Sequence, residues 1–542
     1  MSFPLLTATA LTPALGAVVT AAVPAARRTA AKWLALLFSL ATVGMAVAVL
    51  LRFDTDAGAD RFQLTESRSW IEDFGVRYEL GVDGIGAVLI ALTAVLVPFL
   101  IGAGWNDADE AEGEASVTRR WRPTQGFFAL MLMVEAMVIM SFAATDIFLF
   151  YIFFEAMLIP MYFLIGGFGD RAGGLDEEGQ SRQRSYAAVK FLLYNLAGGL
   201  IMLAAVIGLY VATADQMEVG TFSLQEILQA RASGELDLAT STERWLFLGF
   251  FVAFAIKAPL WPLHTWLPNA MGEATAPVAV LITAVVDKVG TFAMLRFCLG
   301  LFPEASDWAT PVVLVLALIS IIYGALLALG QRDMKRLIAY ASVSHFGFIV
   351  LGVFAMTSQG QGGATLYMIN HGIATAALML VAGFLISRRG SRLIADYGGV
   401  QKTAPVLAGT FLIGGLATLS LPGTGPFISE FLVLVGTFSR HQTVGIIACA
   451  GIVLAALYVL VLYQRTMTGP VKAGLEKLPD LRARELAVVA PLIGLLIFLG
   501  VYPKPLTDIV NPAVEHTLSD VDQTDPGPQH TIAENAEVEA TR

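Results

Sequence analysis

The sequence predicts an all-α integral membrane protein of about fourteen transmembrane helices, built as two inverted five-helix repeats, spans 4–8 and 9–13, with broken helices 7 and 12. Three observations carry this. Of the 542 residues, 56% are hydrophobic and only 14% charged, and the mean hydropathy of +0.69 lies far above that of a soluble fold. The apolar runs are continuous and of the length, roughly 20 residues, that crosses a bilayer as helix, which excludes a barrel. Two runs carry paired helix breakers beside ionisable residues.

The spans fall at 3–23, 31–51, 84–103, 125–144, 146–168, 187–212, 244–269, 276–301, 310–330, 337–357, 362–386, 404–439, 442–464 and 485–503. The first is read as a retained helix, because no basic segment precedes Leu5 as it would in a cleaved signal. The chain then divides into N-terminal helices and an outer loop (1–124), a first half (125–301), a second half (302–464), helix 14 (465–504) and a polar acidic tail (505–542). Much of the net charge of −10 sits in loops and in that tail, so it says little about function. Cys298 and Cys449 lie in separate apolar runs without CxxC spacing. That removes thiolate-held iron–sulfur clusters and structural zinc, and the chain is expected to hold no redox centre.

Basic residues are retained on the cytoplasmic side and therefore test orientation. With the N-terminus outside, 21 Lys and Arg fall in inner loops, among them Arg119, Arg120, Arg122, Arg171, Arg336 and Arg392, and nine fall in outer segments. Both termini are therefore expected outside. The inner loop joining spans seven and eight has no basic residue of its own.

Lys190, Lys257, Lys288 and Arg296 lie within spans. The seventh span reads FAIKAPLWPLHTWLPNA from Phe254 to Ala270, and the twelfth reads LSLPGTGPFISEFLVLVG from Leu419 to Gly436. Proline has no N–H to bond four residues back, so Pro259 and Pro262 free the carbonyls of Ala255 and Ala258, while Pro422 and Pro426 interrupt the twelfth span with Gly423 and Gly425. Lys257 stands beside one break and Glu430 beside the other. Paired interruptions in two halves point to an inverted-repeat transporter with an ion site near the membrane midplane; the alternative is a pair of ordinary proline kinks.

Glu155 sits near the centre of IFLFYIFFEAMLIPMYFLIGGFG, Ile147 to Gly169. A central charge costs at least about 2.5 to 3.5 kcal/mol, so Glu155 needs a partner from another helix. Lys257 is the best candidate, and such a pair either handles protons or acts as a static bridge. Lys288 lies mid-span in AVVDKVGTFAMLRF, which favours a relay role; Arg296, eight residues on and near a span end, is read as snorkelling to the interface. His345 and His371, on consecutive spans, suit a shuttle between Lys288 and Glu430, because histidine titrates near neutrality. His264 and Lys190 are each open to a structural reading, as a hydrogen-bonded residue and as an anchor.

With these motifs the chain resembles the antiporter-like subunits of respiratory complex I, specifically the subunit M family, over roughly Gln125 to Tyr463. The most specific pieces are the Glu155 segment, K-x-P-x-x-P-x-H-x-W-L-P from Lys257 to Pro268, SVSHFGF at His345, and LPGTGPFISEF. The resemblance implies Glu155 and Lys257 as input pair, Lys288 as central relay, His345 and His371 as connecting histidines and Glu430 as output acid. Glutamate rather than lysine at 430 favours subunit M over L and N, and the chain lacks the long lateral helix of subunit L.

It further implies a bacterial cell membrane protein that moves protons beside L and N neighbours and lipids, with no nucleic acid. NADH, FMN, iron–sulfur clusters and quinone would belong to other chains, in keeping with the absence of a GxGxxG loop here. Two departures stand out: Met271 and Gly272 precede EATA, Glu273 to Ala276, where the family has a histidine and EAPT, and Asp287 replaces an aliphatic residue before Lys288. The competing functions are a subunit of a Mrp-type sodium/proton antiporter and a membrane scaffold of a redox complex that pumps nothing.

Overall fold

A computed structural model describes residues 3–56, 59–109, 123–169, 177–217 and 219–527. Arg119, Arg120, Arg122, Arg171, Arg542 and the last part of the acidic tail lie outside the described residues. Among the described residues, twelve helices are long and apolar enough to cross a membrane. They correspond to spans one to six, eight to eleven, thirteen and fourteen. The seventh and twelfth do not count among them: the helix of the seventh, Thr240–Lys257, carries Glu243, Arg244 and Lys257, and the twelfth is cut into two shorter helices.

The seventh span is helical over Thr240–Lys257, turns at the prolines, passes through a short 3-10 segment at Leu263–Trp266 and resumes at Leu267–Glu273. Its loosened backbone is satisfied locally. The carbonyl of Ala255 accepts from Leu260 N–H at 2.9 Å, that of Ile256 from the indole N–H of Trp266 at 2.9 Å, and Trp261 N–H donates to Ser320 Oγ at 2.8 Å. Irregular backbone survives at membrane depth only when its polar groups find such partners. The twelfth span runs Pro405–Thr418 and Gly425–Arg440. Between them Gly423 takes φ +96°, a conformation glycine adopts without strain. Asn370 of the eleventh span closes the break, its amide donating to Gly425 O at 3.0 Å and Ser429 Oγ at 2.7 Å.

Two irregularities were not read from the sequence. The fifth span is cut at Met157 into Ile147–Ala156 and Leu158–Gly167, because Pro160 offers no N–H to the carbonyl of Ala156. The eighth span contains two π-helical turns, Leu281–Val286 and Met294–Leu299, on either side of the short α-helix Lys288–Ala293. Such wide turns recur at functional sites.

The eighth span lies at the centre of the molecule with its whole apolar window buried, and the tenth and eleventh are nearly as enclosed. The second and thirteenth expose most of theirs and form the periphery.

The fold is helical as expected, and one loop adds a short sheet. The loop after the second span folds into an antiparallel hairpin, Gln63–Ile71 against Val76–Val82, turned at Gly75 with φ +64°. The tail expected to be polar begins with the helix Lys504–Asp520. Val510, Ala513, Val514 and Leu518 recur at helical spacing and are buried against the third and eleventh spans. Leu6 N–H donates to Glu66 Oε1 at 2.8 Å and Arg61 pairs with Asp520 at 2.7 Å. The start of the first span and this last helix therefore lie on the same side.

Arg296 does not snorkel. It is buried and pairs with Asp83 at 2.9 Å while donating to the carbonyls of Phe142 at 2.9 Å and Ala144 at 3.3 Å. The eighth span is thereby tied to the start of the third and the end of the fourth. Arg296→Met is expected to destabilise the fold by about 3–5 kcal/mol, because it strands the Asp83 charge. Thermal unfolding of the purified complex measures this, and Asp83→Asn in the same background should recover part of the loss.

Candidate functional site

Fixed by the kinked fifth span, Glu155 lies against Gly199 of the sixth, where an added Cβ would collide with its carboxylate. Both carboxylate oxygens are buried and take no hydrogen bond from the described residues. Lys257 is the last residue of its helix and fully buried. Its ammonium donates to the carbonyl of Phe154 at 2.9 Å and sits 4.1 Å above the centre of the Phe154 ring. The two charges are close enough to attract one another. Among the described residues Glu155 and Lys257 make no direct hydrogen bond: the Phe154 carbonyl and ring hold the ammonium, and the carboxylate packs against Gly199.

Lys288 of the eighth span, also fully buried, contacts His371 Nδ1 of the eleventh at 2.8 Å and lies 4.1 Å above the ring of Phe346. A lysine ammonium only donates, so His371 Nδ1 accepts and its Nε2–H faces Thr375 Oγ1 at 3.3 Å. The His345 ring follows, 5.4 Å centroid to centroid from His371, with no direct hydrogen bond between them among the described residues. His345 Nδ1 meets the hydroxyl of Tyr367 at 2.7 Å and its Nε2 meets that of Tyr458 at 3.2 Å. Tyr367 donates to Glu430 Oε2 at 3.0 Å, and Ser420 donates to the same oxygen. Because that donation uses the Tyr367 proton, Tyr367 accepts from His345, whose neutral ring carries its proton on Nδ1.

The four residues expected from Lys288 to Glu430 thus fall on one buried line, with Tyr367, a fifth, as the link between His345 and Glu430. Tyr367, Tyr458 and Ser420 were missed from sequence, since a tyrosine or serine within an apolar run is unremarkable there. Glu135 was missed as well. It lies in the fourth span, fully buried, with neither oxygen hydrogen-bonded to a described residue, and the rule that picked out Glu155 would have found it.

The altered segment between spans seven and eight is held by neighbouring cations. Glu273 pairs with Arg392 at 2.9 Å and lies 3.9 Å from Arg336; Arg392 also donates to Gly272 O at 2.6 Å, and Lys335 donates to Ala274 O. The loop without basic residues of its own takes them from the segments flanking the tenth and eleventh spans. His264 is buried near Tyr323 and Tyr340, while Lys190 lies half-buried between Tyr186 and Tyr194. Neither joins the line.

A multi-pass helical membrane protein with interrupted helices and a buried row of lysine, histidine and glutamate has the architecture of an antiporter-like membrane subunit. Residues 144–457 match the family described as NADH:quinone oxidoreductase/Mrp antiporter, TM. NADH-quinone oxidoreductase subunit M of Mycobacterium tuberculosis (strain H37Rv) is 55% identical over 535 residues, 96% of this chain and 94% of the relative. Among solved structures, a chain of respiratory complex I from Thermus thermophilus with bound NADH superposes with a TM-score of 0.81 at 30% identity, covering 95% of this chain and 99% of that one. A chain of the Mrp complex from Dietzia sp. DQ12-45-1b gives a TM-score of 0.78 at 21% identity over 96% and 100%, a likeness of fold alone. The chain belongs to the subunit M family of NADH-quinone oxidoreductase.

Proposed function

We propose that this subunit carries protons across the membrane along Glu155, Lys257, Lys288, His371, His345, Tyr367 and Glu430, coupled to quinone reduction elsewhere in the complex. The observation that carries the reading is the hydrogen-bonded sequence His345, Tyr367, Glu430 standing next to Lys288 and His371 inside the protein. Each step changes the charge beside the next group, which moves the proton onward. The halves 125–301 and 302–464 act as the two inverted repeats, with input at Glu155 and Lys257 and output at Glu430. The chain sits in the bacterial cell membrane with both termini outside, beside L and N subunits. NADH, FMN, iron–sulfur clusters and quinone are bound by other subunits.

Against a static scaffold stands the nature of the links. A scaffold is served by closed ion pairs, whereas Glu155 makes none among the described residues and Glu430 is held by two neutral hydroxyls. The Mrp-type reading shares the fold but not the 55% identity to a complex I subunit. Tyr367→Phe removes one hydroxyl and keeps the ring, and is expected to slow proton pumping by the reconstituted complex on the order of 10- to 100-fold. NADH oxidation by an acceptor that bypasses quinone should be unchanged. Wild-type pumping in Tyr367→Phe would remove the proposed link.

A further inference from the structure

Asp287 directly precedes Lys288 in the eighth span, and among the described residues it is bound to neither lysine of the path. It is fully buried, and neither carboxylate oxygen takes a hydrogen bond from a described residue. Its backbone marks the seam where the π turn Leu281–Val286 meets the α-helix beginning at Lys288, and its N–H bonds five residues back to Ile282 O at 2.9 Å.

Gly290 shows which way this face looks. An added Cβ there would come within 2.9 Å of Phe254 O and Ala258 N, so at Gly290 the eighth span lies directly on the backbone that flanks Lys257. Residues three apart share a helix face, which turns Asp287 toward the Lys257 end of the seventh span. Lys288 is one residue on, about 100° around the helix, and reaches the eleventh span through His371. The Asp287 carboxylate lies within electrostatic reach of both Lys257 and Lys288.

We infer that Asp287 is the proton-transfer group joining Lys257 to Lys288, a carboxyl that is loaded from one lysine and unloaded to the other. In the first step a Lys257 N–H bond breaks and an Asp287 O–H bond forms, leaving a neutral amine and a carboxylic acid. In the second, after Lys288 has passed its own proton to His371 Nδ1, the Asp287 O–H bond breaks and the proton joins the neutral Lys288 amine, restoring the carboxylate and the ammonium that contacts His371. No electron moves, and the net result is one proton carried from the seventh to the eighth span. A fixed counter-ion would instead be closed onto one lysine, and Asp287 forms no ion pair among the described residues. The inference rests on the proton path proposed above.

The test uses the complete complex reconstituted in vesicles, carrying Asp287→Asn, Asp287→Glu or Glu430→Gln. Asp287→Asn keeps shape and polarity but cannot carry a proton, and should lower coupled pumping at least ~10-fold, while Asp287→Glu keeps most of it. Wild-type pumping in Asp287→Asn, or equal loss in Asp287→Asn and Asp287→Glu, overturns the relay. If Asp287→Asn pumps normally while Glu430→Gln does not, only this inference falls; if both pump normally, the proton path falls with it. Infrared difference spectra of the turning-over complex give a readout independent of the assembly of Asp287→Asn. The expected result is a carboxylic-acid C=O band that appears with turnover and shifts in Asp287→Glu. A spectrum without that shift overturns the relay.

Discussion

Glu430→Gln is expected to slow proton transfer through this subunit by roughly 10²-fold, the usual cost of losing a proton-transfer group. Glutamine fills the same volume and still accepts from the hydroxyls of Tyr367 and Ser420, which both converge on Oε2. What it loses is the capacity to take up and release a proton at the end of the buried line. Coupled quinone reduction should fall with pumping, since a blocked path stalls the turnover that drives it, while the complex remains assembled. Glu430→Asp should be milder, because the titratable group persists at a shorter reach. Initial rates of pumping and of NADH:quinone turnover, measured on the same vesicles, check both expectations.

Lys257→Ala should have an effect of similar size, on the order of 10²-fold, for a different reason. It removes the cation that faces Glu155, Asp287 and the Phe154 ring at once. The first transfer then has no donor. The substitution also leaves the Phe154 carbonyl without its donor at the kink of the fifth span. Assembly should therefore be verified by size-exclusion chromatography before rates are compared. Normal coupled turnover in an assembled Lys257→Ala complex would mean that the lysine serves packing.

Much of this site is legible in the sequence for one physical reason. A charge inside a 20-residue apolar run is costly enough to need an explanation, so Glu155, Lys257, Lys288 and Glu430 stand out, and the two broken helices are announced by their prolines. Tyr367 and Ser420 carry no such cost, so their part emerges only when the eleventh and twelfth spans are brought together. The π turns around Lys288 leave no mark in composition, and Pro160 did not by itself reveal the break at Met157. Arg296 was misjudged because its place near a span end suggested an escape to the interface. In the fold its partner, Asp83, comes from more than two hundred residues earlier in the chain. The hairpin 63–82 and the helix Lys504–Asp520 were hidden by polar residues facing solvent, although the apolar positions of the helix do follow its period.

The central claim is that protons pass through this chain's own buried residues, and the most direct measurement is the number of protons pumped per NADH oxidised. It should be made in vesicles containing the intact complex with either wild-type subunit or Lys257→Ala. Low-rate turnover in the variant should pump fewer protons per NADH than wild type. An assembled Lys257→Ala complex with unchanged stoichiometry would contradict the account and leave the buried charges a structural role.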